Sequence, residues 1–213
     1  MKSIFVLFLL ILCGCGESET PNEPSHNYDA KEVWPLAIGN YWKFLKINYA
    51  WPSPPDTYET YIEKDTILEN ERVFVFHDYS NSIDKEIHSY VNREDGFHYL
   101  IYNTEIKKSE DRFILKYPCK DGEIYNKTNE YNYIIVANTN LDVMFENSVQ
   151  KGILYIYNEI DSIHDGTYDY IRDSIVVIPG IGIINNKTYR SKHDTNSMEL
   201  ASERILIDYK INK

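Results

Sequence analysis

Apolar positions come in two styles along this chain. One unbroken apolar run occupies positions 4–12; after a polar stretch, apolar residues return from position 42 in short bursts at every second place. A period of two is that of a strand with one face buried. The bursts are separated by Gly, Pro, Asn and Asp, which turn the chain. Strands are predicted at 42–49, 57–67, 73–77, 87–91, 97–102, 113–117, 131–137, 153–160, 168–178, 183–189 and 204–211. The segment 73–77 is apolar on both faces and reads as a central strand. In the last run Ile205, Ile207, Tyr209 and Ile211 alternate with Arg204, Leu206, Asp208 and Lys210, the pattern of a half-buried strand. Residues 68–72 form a turn, and Asn92-Arg93-Glu94-Asp95-Gly96 closes a hairpin with Gly96 supplying a positive φ. Residues 140–150 read as a short helix or a connecting loop, and 197–203 as one helical turn or an extension of the last strand. The fold class is therefore all-β or nearly so: an antiparallel up-and-down sheet curled into an open or closed barrel. Nineteen tyrosines agree with it, since Tyr, like Ile and Val, favours strands.

One pattern occurs twice. Trp34-Pro35 and Gly39, followed by Trp42, match Tyr117-Pro118 and Gly122, followed by Tyr125. Pro fixes the approach, Gly makes the turn and the second aromatic starts a strand. A pair of ligand platforms would use the same template, but one turn used twice is the preferred reading.

The apolar run at 4–12 follows Met1-Lys2 and precedes Cys13-Gly14-Cys15, the layout of a secretory signal. It falls well short of the roughly 20 residues of a spanning helix. Leu12-Cys13-Gly14-Cys15 resembles the bacterial lipobox, with Cys13 a mild departure from the usual Ala or Ser. The resemblance implies cleavage before Cys15, a diacylglycerol thioether on Cys15 and an acylated N-terminus, hence a membrane partner held by several acyl chains. Residues 1–14 are then the signal, 15–30 the lipidated cysteine with a flexible acidic tether, and 31–213 one β-rich domain. Gly16 is not the Asp of inner-membrane retention, which favours the outer membrane. The acidic start of the tether is similar to surface-export signals of lipoproteins in the Bacteroidota, which favours surface display over the periplasmic side.

Charge and cysteine content narrow the classes. The formal charge is -11, and loss of Lys2 with the signal takes it to -12. Such a chain is a poor partner for nucleic acid. Of three cysteines, Cys13 leaves with the signal and Cys15 carries lipid, so Cys119 has no internal disulfide partner. It reads as a small half-buried residue near a turn.

The domain opening, Trp34-Pro35-Leu36-Ala37-Ile38-Gly39-Asn40-Tyr41-Trp42-Lys43-Phe44, resembles that of a set of uncharacterised lipoproteins of the Bacteroidota and related phyla, which share a Pro-Leu-x-x-Gly-Asn-x-Trp-x-Tyr pattern. Asp65-Thr66-Ile67, Val73-Phe74-Val75-Phe76 and Ile178-Pro179-Gly180-Ile181-Gly182 resemble later segments of that set. The resemblance implies a β-rich exported domain and no particular activity.

Candidate chemistry is sparse. If Tyr90 pairs with His98 across the hairpin, His88 and His98 share a face beside Glu86, but no third ligand is fixed and no metal site or other cofactor is predicted. His77-Asp78 and His164-Asp165 are neighbours that a strand points to opposite faces. No hydrolase, phosphate-loop or dinucleotide motif occurs, so no catalytic residue is assigned. Thr66, Ser162 and Ser174 each follow Asp and precede Ile, a pattern used for O-glycosylation in the Bacteroidota. Trp34, Trp42 and Trp51 cluster early and are the candidate ligand-binding aromatics. The expectation is a membrane-anchored envelope lipoprotein acting as a non-catalytic binding or interaction module for a glycan, a lipid or an envelope protein. A structural or assembly component of the cell surface ranks second, and a hydrolase with a carboxylate site third.

Overall fold

The computed structural model describes residues 33–51, 53–80, 83–103, 108–162, 168–191 and 197–212. The signal, Cys15 and the tether lie outside them, as do His164, Asp165 and the side chain of Ser162. The strands in chain order are β1 (Tyr41–Asn48), β2 (Asp56–Leu68), β3 (Glu71–Ser80), β4 (Ile83–Arg93), β5 (Gly96–Asn103) and β6 (Lys108–Lys116). They continue with β7 (Ile124–Tyr125), β8 (Tyr133–Phe145), β9 (Ser148–Ser162), β10 (Tyr168–Ile178), β11 (Gly182–Ser191) and β12 (Glu199–Lys210). All pairs are antiparallel, and one 12-stranded sheet runs β6-β5-β4-β3-β2-β1-β12-β11-β10-β9-β8-β7. Neighbours in sequence are neighbours in space, so the sheet is up-and-down as the hairpin spacing predicts. It curls into a nearly closed barrel whose two end strands, β6 and β7, face each other.

The core is the barrel interior. Trp42, Ile62, Phe76, Phe97, Leu115, Val136, Tyr155 and Val177 are buried there, drawn from strands all round the sheet. β3 also covers a small patch on the outer face, where Val73 packs with Val91 and Leu100. That is why its sequence is apolar on both sides.

The repeated turn is realised twice with the same bonds. Asn40 N–H donates to Ala37 O and Glu123 N–H to Lys120 O, both at 3.1 Å, around Gly39 (φ 83°) and Gly122 (φ 75°). Each glycine then donates to a strand, Gly39 to Ile62 O at 2.8 Å and Gly122 to Val136 O at 2.7 Å. The strand bonds back, Ile62 to Asn40 O and Val136 to Glu123 O, both at 2.9 Å. The next turns match as well: Glu69-Asn70 joins β2 to β3 and Glu146-Asn147 joins β8 to β9, all four residues at positive φ. Two-residue hairpin turns of this kind match the twist of the flanking strands. β1–β6 and β7–β12 are thus two copies of one six-strand plan. The twice-used template is structural.

Two sequence expectations need correction. Residues 140–150 are neither helix nor loop; they are the β8–β9 hairpin, and bulges between Val136 and Leu141 interrupt the period that would have revealed it. Of the two alternatives for residues 197–203, the extension of the last strand holds from Glu199, where β12 starts. The strict alternation of β12 fails at Ile207. There the register shifts between Lys43 and Phe44 of β1, Ile207 is half exposed, and the inward set becomes Arg204 and Leu206 before the bulge and Tyr209 and Ile211 after it.

Candidate ligand-binding cavity

The barrel interior is not completely filled. A cavity of about 140 Å³ lies among β1 to β6, β11 and β12. Trp34, Phe76 and Phe97 form its floor, and Phe44, Tyr90, Ile114 and Ile183 line its walls. Tyr58, Thr60, Asp78 and Arg204 project from the strand ends nearer the β1–β2 and β3–β4 connections and make its polar rim. The floor is rigid. Trp34 stacks on Phe97 with ring centroids 4.9 Å apart and meets Trp42 edge-on at 5.6 Å. Phe76 lies parallel to Trp42 at 6.0 Å. The main chain of Trp34 is tied down by Asn92, whose side-chain amide donates to Trp34 O at 3.0 Å.

Register explains how a carboxylate reaches this interior. Phe74 and Phe76 point inward from β3, so Asp78 does too, while His77 points outward and stacks on Tyr61 at 5.3 Å. The adjacent His and Asp are on opposite faces, as their spacing predicts. Asp78 Oδ1 accepts from Thr60 Oγ1 at 2.6 Å, and Oδ2 lies 3.3 Å from His88 Nε2. Tyr58 is a third hydrogen-bond partner. The Asp78 side chain is 11% exposed. Burial pushes the carboxyl's pKa up, but the hydrogen bonds of His88, Thr60 and Tyr58 outweigh it and hold Asp78 below its usual range. The site therefore keeps a buried negative charge at neutral pH. Behind it His88 Nδ1 stands 3.0 Å from Tyr99 Oη, which makes a chain Asp78–His88–Tyr99 across β3, β4 and β5.

Arg204 supplies the opposite sign. It is directly opposite Asn186 of β11 on one side and Lys46 of β1 on the other. Its guanidinium carbon lies 5.9 Å from the centre of the Tyr58 ring. Among the described residues, no carboxylate stands within ion-pair distance of it. Asn186 is buried beside it on the inner face, and its Oδ1 has no hydrogen-bond partner.

Comparison with known proteins gives the fold and stops there. No protein-family model and no curated protein matches the sequence. Two crystal structures have this fold. One is of a candidate lipoprotein from Parabacteroides distasonis, with a TM-score of 0.53 and 11% identity over 84% of this chain and 98% of its own. The other is of a candidate exported protein with a YmcC-like fold from Bacteroides fragilis, with a TM-score of 0.53 and 12% identity over the same shares, 84% and 98%. This chain is built like them along nearly their whole length.

The candidate residues named from sequence scatter over this frame. Trp42 is fully buried and donates from Nε1 to Ile181 O at 2.6 Å, so it braces the core. Trp34 lines the cavity. Trp51 is 72% exposed in the β1–β2 connection, so the three do not converge. Thr66 is exposed on β2 near its hairpin turn, and Ser174 sits mid-strand on β10 between Ile156 and Lys187. The assumed pairing of Tyr90 with His98 is off by one residue. Tyr90 pairs with Tyr99 and Val91 with His98, because Glu94-Asp95 alone make the turn. One step of register sends His88 inward and His98 outward. His98 there lies 2.9 Å from Asp111 and 3.0 Å from Asp95. Among the described residues no group of three metal-ligating side chains is placed to hold a metal ion. Burial pushes the Cys119 thiol up to about 11, so it is not a ready thiolate.

Sequence reasoning missed Asp78, His88 and Arg204 as a group. The signal was a charge inside a strand otherwise apolar on both faces, since buried charges need a reason.

Proposed function

We propose that this protein is a lipid-anchored envelope lipoprotein, tethered by Cys15 on the outer membrane, whose barrel is a non-catalytic binding module for a small ligand. One observation carries the reading: an aromatic-walled cavity in the barrel holds an ionised carboxylate and a guanidinium that, among the described residues, has no ion-pair partner. A domain with only a structural duty gains nothing from the largely buried Asp78 carboxylate, since a buried ion costs free energy that apolar packing does not. The lipobox resemblance and the exported character of the two structural neighbours support the envelope address.

Native mass spectrometry on residues 16–213, purified gently from cells, tests the binding reading. The expected result is a retained extra mass that leaves on mild activation and is lost in a Phe97→Trp variant, which fills the cavity. A bare monomer from every preparation would overturn it and move weight to an assembly role. The Asp78–His88–Tyr99 chain is the one feature favouring an enzyme. Turnover of any substrate that His88→Gln abolishes while the fold is intact would replace the binding reading with that one. Anchoring is checked separately: Cys15→Ser should release the protein from the membrane fraction.

A further inference from the structure

Resting on the reading of this cavity as a ligand site, we infer that its ligand is a small zwitterion with an apolar body, its ammonium at Asp78 and its carboxylate at Arg204. Both side chains line the same space, with aromatic rings between and beneath them. A carboxylate has about four acceptor sites. Thr60, His88 and Tyr58 occupy three on Asp78, which leaves room for one more donor. The guanidinium of Arg204 offers five donors and, among the described residues, spends none on a carboxylate.

Charge selects the class. Asp78 and Arg204 are of opposite sign, so a ligand with one charged group would satisfy only one of them. A ligand carrying both signs satisfies both. Its cation also gains from the faces of Tyr58, Tyr90 and Phe44, which line the same cavity. Among the described residues the buried Asn186 Oδ1, directly opposite Arg204, lacks a donor, which a bridging water beside the ligand's carboxylate would supply. Size sets the body. The cavity, about 140 Å³, is close to the roughly 150 Å³ that admits a benzene ring. An isobutyl group or a single ring fits; a sugar chain or an acyl tail does not. The free apolar α-amino acid is the simplest molecule with these three parts.

Calorimetry on residues 16–213 tests this with four probes that share one body: L-leucine, isoamylamine, isocaproate and isobutanol. Leucine should bind, and loss of either charge should weaken binding about tenfold or more. Arg204→Gln should bring leucine down to the level of isoamylamine while leaving isoamylamine unchanged. Asp78→Asn should do the converse with isocaproate; if that variant fails to fold, the Arg204→Gln arm stands alone. If isoamylamine, isocaproate or isobutanol binds as tightly as leucine, the zwitterion assignment falls and the cavity remains a binding site. If none of the four binds and no mass is retained in native mass spectrometry, both fall together.

Discussion

The two six-strand halves meet twice, and the two joints are built differently. At the first, β1 lies against β12 along its whole length, from Tyr41 opposite Lys210 to Asn48 opposite Ser202. Main-chain bonds do the work, and one bulge adjusts the curvature. At the second, the strand equivalent to β1 is β7, only two residues long, and among the described residues it has no ladder to β6. Side chains stand in. Tyr155 Oη donates to Lys116 O at 2.8 Å, Tyr125 and Tyr157 donate to Ile114 O, and Asn126 donates to Phe113 O at 2.7 Å. Burial raises the pKa of all three phenols, so their protons stay in place to be donated. The lesson is that an exposed strand edge can be closed by hydroxyls carried on neighbouring strands. Part of the tyrosine excess has this cause.

The strongest way to break the comparison is at its solid joint. Trp42→Ala removes a fully buried ring shared by both halves and should cost about 3–5 kcal/mol. Urea denaturation of Trp42→Ala beside Tyr125→Ala, its counterpart at the seam, should show the larger loss for Trp42. Equal losses would mean that the two joints are energetically alike.

Glycines separate the two sides of the seam next. A Cβ on Gly96 (φ 143°) would stand 2.1 Å from Leu115 O, on the β6 side of the seam. On Gly122 (φ 75°) it would meet nothing within 4 Å. Gly122→Ala should therefore lose only the left-handed backbone penalty, about 1–2 kcal/mol, and Gly96→Ala clearly more. A Gly96→Ala protein as stable as Gly122→Ala would show that β6 can move away freely.

The seam hydroxyls come third. Tyr155→Phe leaves the Lys116 carbonyl without its phenol donor and should cost about 1–2 kcal/mol. Hydrogen exchange should sharpen the contrast: amides of residues 113–116 should exchange faster in this variant, while those of β1 and β12 keep wild-type rates. Uniform acceleration would mean that the barrel opens as a whole.

Legibility in the sequence followed the same division. Where a strand keeps an unbroken ladder to a neighbour, its extent was located, as at residues 168–178, which match β10 in its regular pairing with β9. The turns were legible through Gly96, Gly39 and Gly122, because a positive φ restricts the residue type. What alternation cannot carry is a bulge. Ile207 shifts the face of everything after it, the bulges around Asn138 masked a hairpin, and a one-residue misjudgement of the 92–96 turn put His98 on the wrong face. The cavity was hidden for a related reason. Asp78, His88 and Arg204 lie on three strands, and only the successive registers from β4 through β3, β2 and β1 to β12 bring them together. The tryptophans were conspicuous by rarity, yet Trp42 serves packing and Trp51 lies outside.

The smallest effect tests whether charge also helps to hold the seam. Lys116 of β6 pairs with Glu123, just before β7, at 2.6 Å, with both side chains 30% exposed. The hydrogen bond from Lys116 comes first among the influences that hold the Glu123 carboxyl below its usual range, against a smaller rise from burial. A carboxyl lowered on folding stabilises the native state fully above its unfolded pKa, about 4.3, and ceases to as pH falls through the folded value. Solvent screening keeps this to under about 1 kcal/mol. Urea midpoints of the wild type and Glu123→Gln should therefore differ slightly near neutral pH and converge in acid. High salt should shrink the same difference at neutral pH, because it screens an exposed pair. A gap that persisted in acid would assign the effect of Glu123 to its packing or to its acceptance of the Lys120 N–H, seen at 3.1 Å, and the seam would then be held by neutral hydrogen bonds alone.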